Sequence, residues 1–285
     1  MFIARGATCL MPLLLCLASC ASDPVERSHE PPPIVPGIES VAIDKEGNLY
    51  VASGQIVSKW DADGHRVPFS AVAAEVVIAD EDYLYCAAES HIRRFKLASG
   101  ERAPFTGPLA QISIGSVRAM DVAGARLYVA AGDKIRMFDS TSGAAAGEFD
   151  VHLPRAVAVD PLGQVWVGHD HSMVQAFRVD GYSGVTYGGL GEVVSLTFGP
   201  GAKLYAADAA RGRVLTLDTG ASPAQFVPVL DVPGITAVVA DNRGSLVTLQ
   251  QGGRVAKWSV SGKLLWERSV ASTPPRAGRN MKVRR

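Results

Sequence analysis

Short apolar runs alternate with clusters of glycine, aspartate, asparagine and serine along this chain, and the alternation is periodic. One four-residue run returns six times. It reads LYVA at Leu49–Ala52, LYCA at Leu84–Ala87, LYVA at Leu127–Ala130, VWVG at Val165–Gly168, LYAA at Leu204–Ala207 and LVTL at Leu246–Leu249. Its second residue (Tyr50, Tyr85, Tyr128, Trp166, Tyr205, Val247) recurs about every 40 residues, the spacing of a repeat array. The grammar around each run is constant. The first repeat reads SVAID, KEGNLYVAS, QIVSKWDADG and HRVPFS, which predicts four short strands parted by turn residues. An aspartate is expected to close the first strand at Asp44, Asp80, Asp121, Asp160 and Asp241, with Gly199 in its place in the fifth repeat. There its side chain can bond the backbone of the turn it opens. Glycine marks the third turn at Gly64, Gly100, Gly143, Gly181, Gly220 and Gly262. No useful length of helical 3.6-residue period interrupts this pattern.

A single four-stranded unit of this size cannot bury both of its faces, whereas radially stacked units cover one another. The pattern therefore predicts an all-β fold: a six-bladed β-propeller of four-stranded antiparallel blades over residues 37–271. The first strand of each blade would line a central channel and the fourth would form the rim. Blade 1 starts on a first strand and blade 6 ends on a fourth (LLWERSV). Closure is thus expected by face packing alone, with no strand shared between the two.

The stretches PGIESVAIDKEGNLYVASGQIVSKWDADG and PRAVAVDPLGQVWVGHDHSMVQAFRVDG resemble NHL repeats. The resemblance covers all six blades and is strongest in blades 1 and 4. It does not extend to WD40 repeats, because Trp60-Asp61 does not recur as a periodic pair. It implies an NHL/SMP-30-like wheel, a superfamily that contains lactonases, lyases and plain interaction platforms. In the lactonases a Glu, an Asn and an Asp hold a divalent cation at the channel mouth, each about five residues before the end of an inner strand. Counting back from each closing Asp or Gly gives Glu39, Glu75, Ser116, Arg155, Val194 and Thr236. Glu39 matches the first ligand of that family. Arg155 and Val194 stand where Asn and Asp would be needed, and a hard cation requires several oxygens. No metal, cofactor or catalytic residue is therefore expected. Glu39, Glu75, Arg118 and Arg155 are read as a ligand-binding set at the mouth whose charges partly neutralise one another.

Other candidate chemistry dissolves into turns. His169-Asp170-His171 spaces two imidazoles at i and i+2, which suits a metal, but it falls in the predicted second turn of blade 4 with no third ligand in sight. Asp61-Ala62-Asp63-Gly64 resembles part of a calcium loop, yet the closing position falls on Ser70 or Val72. Gly188-Gly189-Leu190-Gly191 is followed by no helix that could hold phosphate and reads as a linker between blades. No G-x-S-x-G elbow occurs.

The ends change the picture more than the composition does. The 285 residues carry 28 basic and 28 acidic side chains, so no nucleic-acid partner is expected. Arg5 precedes an apolar run, Leu10 to Leu17, that is too short to span a bilayer. It ends in Leu17-Ala18-Ser19-Cys20, which resembles a bacterial lipobox. That resemblance implies a signal peptide over residues 1–19 and acylation of Cys20, whose chains would anchor the protein in a bilayer. Residues 20–36 would then form a lipidated, proline-rich tether. Ala21, in place of Asp, implies by likeness to enterobacterial lipoproteins the periplasmic face of the outer membrane. Cys9 and Cys16 would leave with the signal, so Cys86 has no partner for a disulfide and is expected to be a small buried side chain. Residues 272–285 form a basic tail with too few apolar residues to fold. The whole reads as a lipid-anchored envelope protein whose wheel binds an envelope protein or a small molecule. A hydrolase or lyase working at the channel mouth is the alternative.

Overall fold

The structure, a computed structural model, describes residues 38–270 apart from 54, 55, 71, 109, 170 and 171. The expected signal peptide, Cys20, the tether and the basic tail lie outside the described residues.

Six four-stranded antiparallel sheets follow one another in chain order. Blade 1 holds β1 (Ile38–Ile43), β2 (Leu49–Ser53), β3 (Ile56–Trp60) and β4 (Arg66–Val67). Blade 2 holds β5 (Val76–Ala79), β6 (Tyr83–Ala88), β7 (His91–Lys96) and β8 (Ile112–Ser113). Blade 3 holds β9 (Val117–Ala123), β10 (Arg126–Ala131), β11 (Lys134–Asp139) and β12 (Ala145–Asp150). Blade 4 holds β13 (Pro154–Val159), β14 (Val165–His169), β15 (Met173–Phe177) and β16 (Ser183–Tyr187). Blade 5 holds β17 (Val193–Gly199), β18 (Lys203–Asp208), β19 (Arg213–Asp218) and β20 (Val227–Asp231). Blade 6 holds β21 (Ile235–Ala240), β22 (Leu246–Gln250), β23 (Arg254–Trp258) and β24 (Leu264–Ser269). The first strands pack on one another in a closed ring that returns from β21 to β1. This is the six-bladed propeller that the repeat predicts.

The repeated four-residue run explains the stacking. Side chains alternate across a strand with period two. In β2, Leu49 and Val51 join an apolar cluster shared with blade 6, while Tyr50 and Ala52 join one shared with blade 2. In β6, Leu84 and Cys86 face back toward blade 1, and Tyr85 and Ala87 face on toward blade 3. The same division fills every interface, so each second strand is buried on both sides. Cys86 is buried as expected, and its burial pushes the thiol pKa far up, which keeps it protonated and inert. The fourth strands are mostly exposed, as β12 and β16 show.

The turn residues work as read, with one exception. Asp44 accepts backbone hydrogen bonds from Glu46 and Asn48, and Asp160 accepts them from Leu162 and Gln164. The third-turn glycine serves two needs at once. At Gly181 φ is +83°, and a Cβ there would lie 2.7 Å from Cβ of Phe149 on the rim of blade 3. Asp121 is the exception. It lies inside β9 and pairs with Tyr128, two residues before the strand ends at Ala123. The turn that follows is the two-residue Gly124-Ala125 link, with Gly124 at φ +57°. This tight hairpin extends the ladder past Asp121, which instead accepts the Val159 N–H of blade 4 at 2.7 Å.

Closure also differs from expectation in one respect. Among the described residues no strand is shared, and Val41, Leu49 and Val51 pack against Ala237, Val239, Val247 and Leu249. Yet side chains of blade 6 also donate to carbonyls of blade 1. Trp266 Nε1 reaches Ala62 O at 3.1 Å, Arg268 Nε reaches Gly64 O at 3.1 Å and Asn242 Nδ2 reaches Lys45 O at 3.0 Å. Face packing is therefore supplemented by hydrogen bonds to turn carbonyls.

Polar bridges recur at three interfaces. Lys59, Arg94 and Lys257 each lie on a third strand, directly across from the second residue of the repeated run. Each cation reaches one carbonyl in the third turn of the next blade. Lys59 donates to Leu97 O at 3.0 Å, Arg94 to Ser140 O at 2.8 Å and Lys257 to Ala62 O at 3.5 Å. Tyr50 and Tyr85 donate both to those carbonyls and to the turn acids Asp44 and Asp80. Arg94 is almost fully buried; it also donates to Ala103 O and Pro104 O and stacks 4.2 Å from the ring of Tyr83.

Candidate functional site

The inner strands share an irregularity that builds the channel mouth. Between Pro154↔His169 and Ala156↔Gly168 one residue, Arg155, has no partner in the ladder. The same bulge singles out Glu39 in β1, Arg118 in β9, Val194 in β17 and Thr236 in β21. Glu75 holds the matching place just before β5, where its N–H donates to Ala87 O. A bulge re-aims the extra side chain, and here it does so at one level around the ring. Counting back from Asp121 pointed to Ser116 for blade 3. The register corrects this to Arg118, because Asp121 sits two residues inside its strand. The side chain of Glu39 lies outside the described residues.

Arg118, Leu153, Arg155 and Val194 line a cavity of about 510 Å³ at this mouth. Below it a narrow channel of about 90 Å³ is lined by residues of all six first strands, Arg118 and Val194 among them. The channel wall is mostly apolar, with Ser40, Asp121, Ser195, Thr197 and Thr236 as its uncharged or acidic polar groups. Ser40 and Ser195 are engaged in holding the next blade: each hydroxyl bonds both the N–H and the carbonyl of Val77 or Val238. Asp121 is raised to about 7, above all by burial, which its two backbone hydrogen bonds only partly offset.

The arginines at the mouth engage groups outside the four expected residues. Arg155 pairs with Glu192, on the linker into blade 5. Arg118 donates to the carbonyl of Pro154 at 3.4 Å. Glu192 is a mouth residue that the repeat count missed; its signal was its place two residues before the bulged Val194. A second charged group flanks this face. Asp208, fully buried, pairs with Arg211 and Arg213 and accepts the N–H of Gly191. A Cβ on Gly191 would collide with the Asp208 carboxylate, which explains a glycine in that linker.

The other candidates fall as follows. His169 is not in a surface turn; it ends β14 and is buried, opposite Pro154. The strand runs one residue further than the turn-rich sequence suggested. Asp170 and His171 lie outside the described residues. Asp61 accepts the N–H groups of Asp63 and His65, so its loop is a side-chain-capped turn. Among the described residues no three His, Cys, Asp or Glu side chains cluster as a metal site. At the mouth, two guanidinium groups and a valine occupy three of the six ring positions, a donor set that does not suit a hard cation.

No protein-family model matches the chain, and no curated protein matches its sequence. Solved structures do match in shape. A form of KlHsv2 with loop 6CD replaced by a Gly-Ser linker is 10% identical, with 84% of this chain and 83% of that chain covered at a TM-score of 0.55. Hsv2 of Kluyvelomyces marxianus is 8% identical, with 79% of this chain and 72% of that chain covered at a TM-score of 0.54. At such identity the likeness establishes the propeller fold alone.

Proposed function

We propose that this chain is a lipid-anchored protein of the bacterial envelope whose NHL-like propeller is a recognition module, binding its partner at the channel mouth. The observation that carries the recognition reading is the mouth itself. It is a cavity of about 510 Å³ in which Arg118 and Arg155 are set over an apolar channel too narrow to admit a substrate deeply. Concave sites with a few convergent polar groups are the usual form of ligand recognition. The arginines, with Glu75 and Glu192 beside them, suit a partner that presents both a carboxylate and a cationic or hydroxyl group. The NHL/SMP-30 affiliation and the anchor rest on the repeated phrase and on Leu17-Ala18-Ser19-Cys20. Acylation of Cys20 would hold the wheel near envelope partners and raise their effective concentration.

Crosslinking in intact envelopes, followed by capture of the full chain, tests the module. A stable protein partner lost on Arg118→Ala together with Arg155→Ala supports the proposal. Hydrolysis of a lactone by purified protein, abolished by Glu39→Ala and accompanied by a bound divalent ion, would overturn it in favour of an enzyme. Cys20→Ala should leave the protein unprocessed or unanchored; unchanged processing and membrane fractionation would remove the anchor.

A further inference from the structure

We propose that the hollow between blades 5 and 6, on the face opposite the channel mouth, is a binding site for a small amphiphilic carboxylate. It follows from comparing the same place around the ring. At three interfaces this place is filled by a third-strand cation and a turn acid. At the 5–6 interface both are missing: Thr216 stands where the cation would be and Gly199 where the acid would be. Blades 3 and 4 also lack the cation, with Met137 and Ala176 in its place, but there aromatic rings occupy the space. Phe149 meets Phe177 at 5.3 Å, and Trp166 stacks on Tyr187 at 6.1 Å.

At the 5–6 interface Tyr205 and Trp258 join the apolar cluster without filling this hollow, and a cavity of about 260 Å³ remains. That is just under the usual range for small-ligand pockets, so the occupant is small. The turn residue across from it is exposed. Leu97 and Ser140, whose carbonyls the bridges hold, are 6% and 7% exposed, whereas the corresponding Val260 is 71% exposed.

The lining specifies the chemistry. At the inner end lie the hydroxyls of Tyr205 and Thr216. Thr216 Oγ1 is buried and makes no hydrogen bond of ordinary geometry among the described residues; the Tyr205 hydroxyl is the polar group beside it. A buried hydroxyl left in this state is costly and is satisfied by an incoming acceptor. Lys203 is the one charged residue of the lining, and no carboxylate among the described residues lies within ion-pair reach of it. Val229 and Val260 form an exposed apolar rim. Hydroxyl donors, one cation and an apolar rim together fit a carboxylate on a short hydrocarbon body.

Hexanoate is the probe, titrated into the full chain and followed by saturation-transfer NMR, with hexan-1-ol and hexylamine as controls. Hexanoate should bind, the alcohol more weakly, and the amine not at all. Val260→Glu alters only an exposed rim residue and should weaken hexanoate by about tenfold, the effect of one adverse charge near the surface. Thr216→Lys supplies the missing cation and should close the site and abolish binding. Arg118→Ala, on the other face, should leave hexanoate binding unchanged, so this site and the mouth fail separately. No hexanoate binding, equal binding of the alcohol, or binding insensitive to Val260→Glu would each overturn the proposal.

Discussion

The ring divides into two arcs that solve one packing problem differently. From blade 6 through blades 1 and 2 to blade 3, each interface is spanned by a cation that reaches a turn carbonyl of the next blade. From blade 3 through blades 4 and 5 back to blade 6, the corresponding residues are Met137, Ala176 and Thr216. Rings of Phe149, Phe177, Trp166, Tyr187, Phe198 and Phe226 pack along much of that arc. The acid–aromatic contact survives without the cation in blade 4, where Trp166 Nε1 donates to Asp160 at 3.2 Å. One backbone geometry is therefore compatible with two kinds of interface. The bridged arc adds cation bridges to its Tyr50–Phe69 and Tyr85–Phe105 contacts, whereas the other arc has ring packing without them.

The largest effect should come from the aromatic arc. Trp166→Ala removes a ring that is 2% exposed and touches Tyr187 and Phe198, and it should cost about 3–5 kcal/mol in urea unfolding. Next is the junction of the arcs, at Asp121. Its carboxyl is raised from 3.8 to about 7, so the folded state binds a proton that the unfolded state releases between those values. Stability should fall as pH rises from about 4 to about 7, by a few kcal/mol at most, and then level off. Asp121→Asn should flatten that slope; an unchanged pH profile would show that another group sets it.

Arg94→Met tests the bridged arc. It keeps the apolar body but strands the carbonyls of Ala103 and Pro104 and leaves that of Ser140 to Tyr85 alone, and a loss of about 2–3 kcal/mol is expected. A neutral or stabilising result would erase the distinction between the arcs, since it would show that the bridge is replaceable by hydrophobic packing. The smallest effect is expected at Lys134, whose pairs with Glu148 and Asp150 lie on the surface of blade 3. Lys134→Ala should leave the urea midpoint unchanged within error.

The wheel was legible in the chain because its determinants are local. A period of two in LYVA sets both faces of a strand, and an aspartate caps its own turn. The division into arcs was not legible, because it depends on which third-strand residue stands across from Tyr50 or Tyr128, and that requires the register. The same reason put the repeat count on Ser116 although Arg118, named at the mouth for its charge, holds the bulge: a two-residue hairpin at Gly124-Ala125 moves the strand end past the aspartate used as a marker. His169 was misread because a polar residue at a strand end looks like a turn until its burial is seen. The mouth arginines were found by composition and position; Glu192 was not, since the repeat count marks one place in each blade and passes over the residue two before Val194.

Closure without a shared strand has an evolutionary consequence. Each blade begins and ends on its own four strands, so among the described residues no strand ladder crosses from one repeat to the next. Recombination between linkers could therefore duplicate or delete a whole blade and leave every remaining sheet intact. The number of blades in such an array is free to change by single steps, provided that the two faces meeting at the seam still fit.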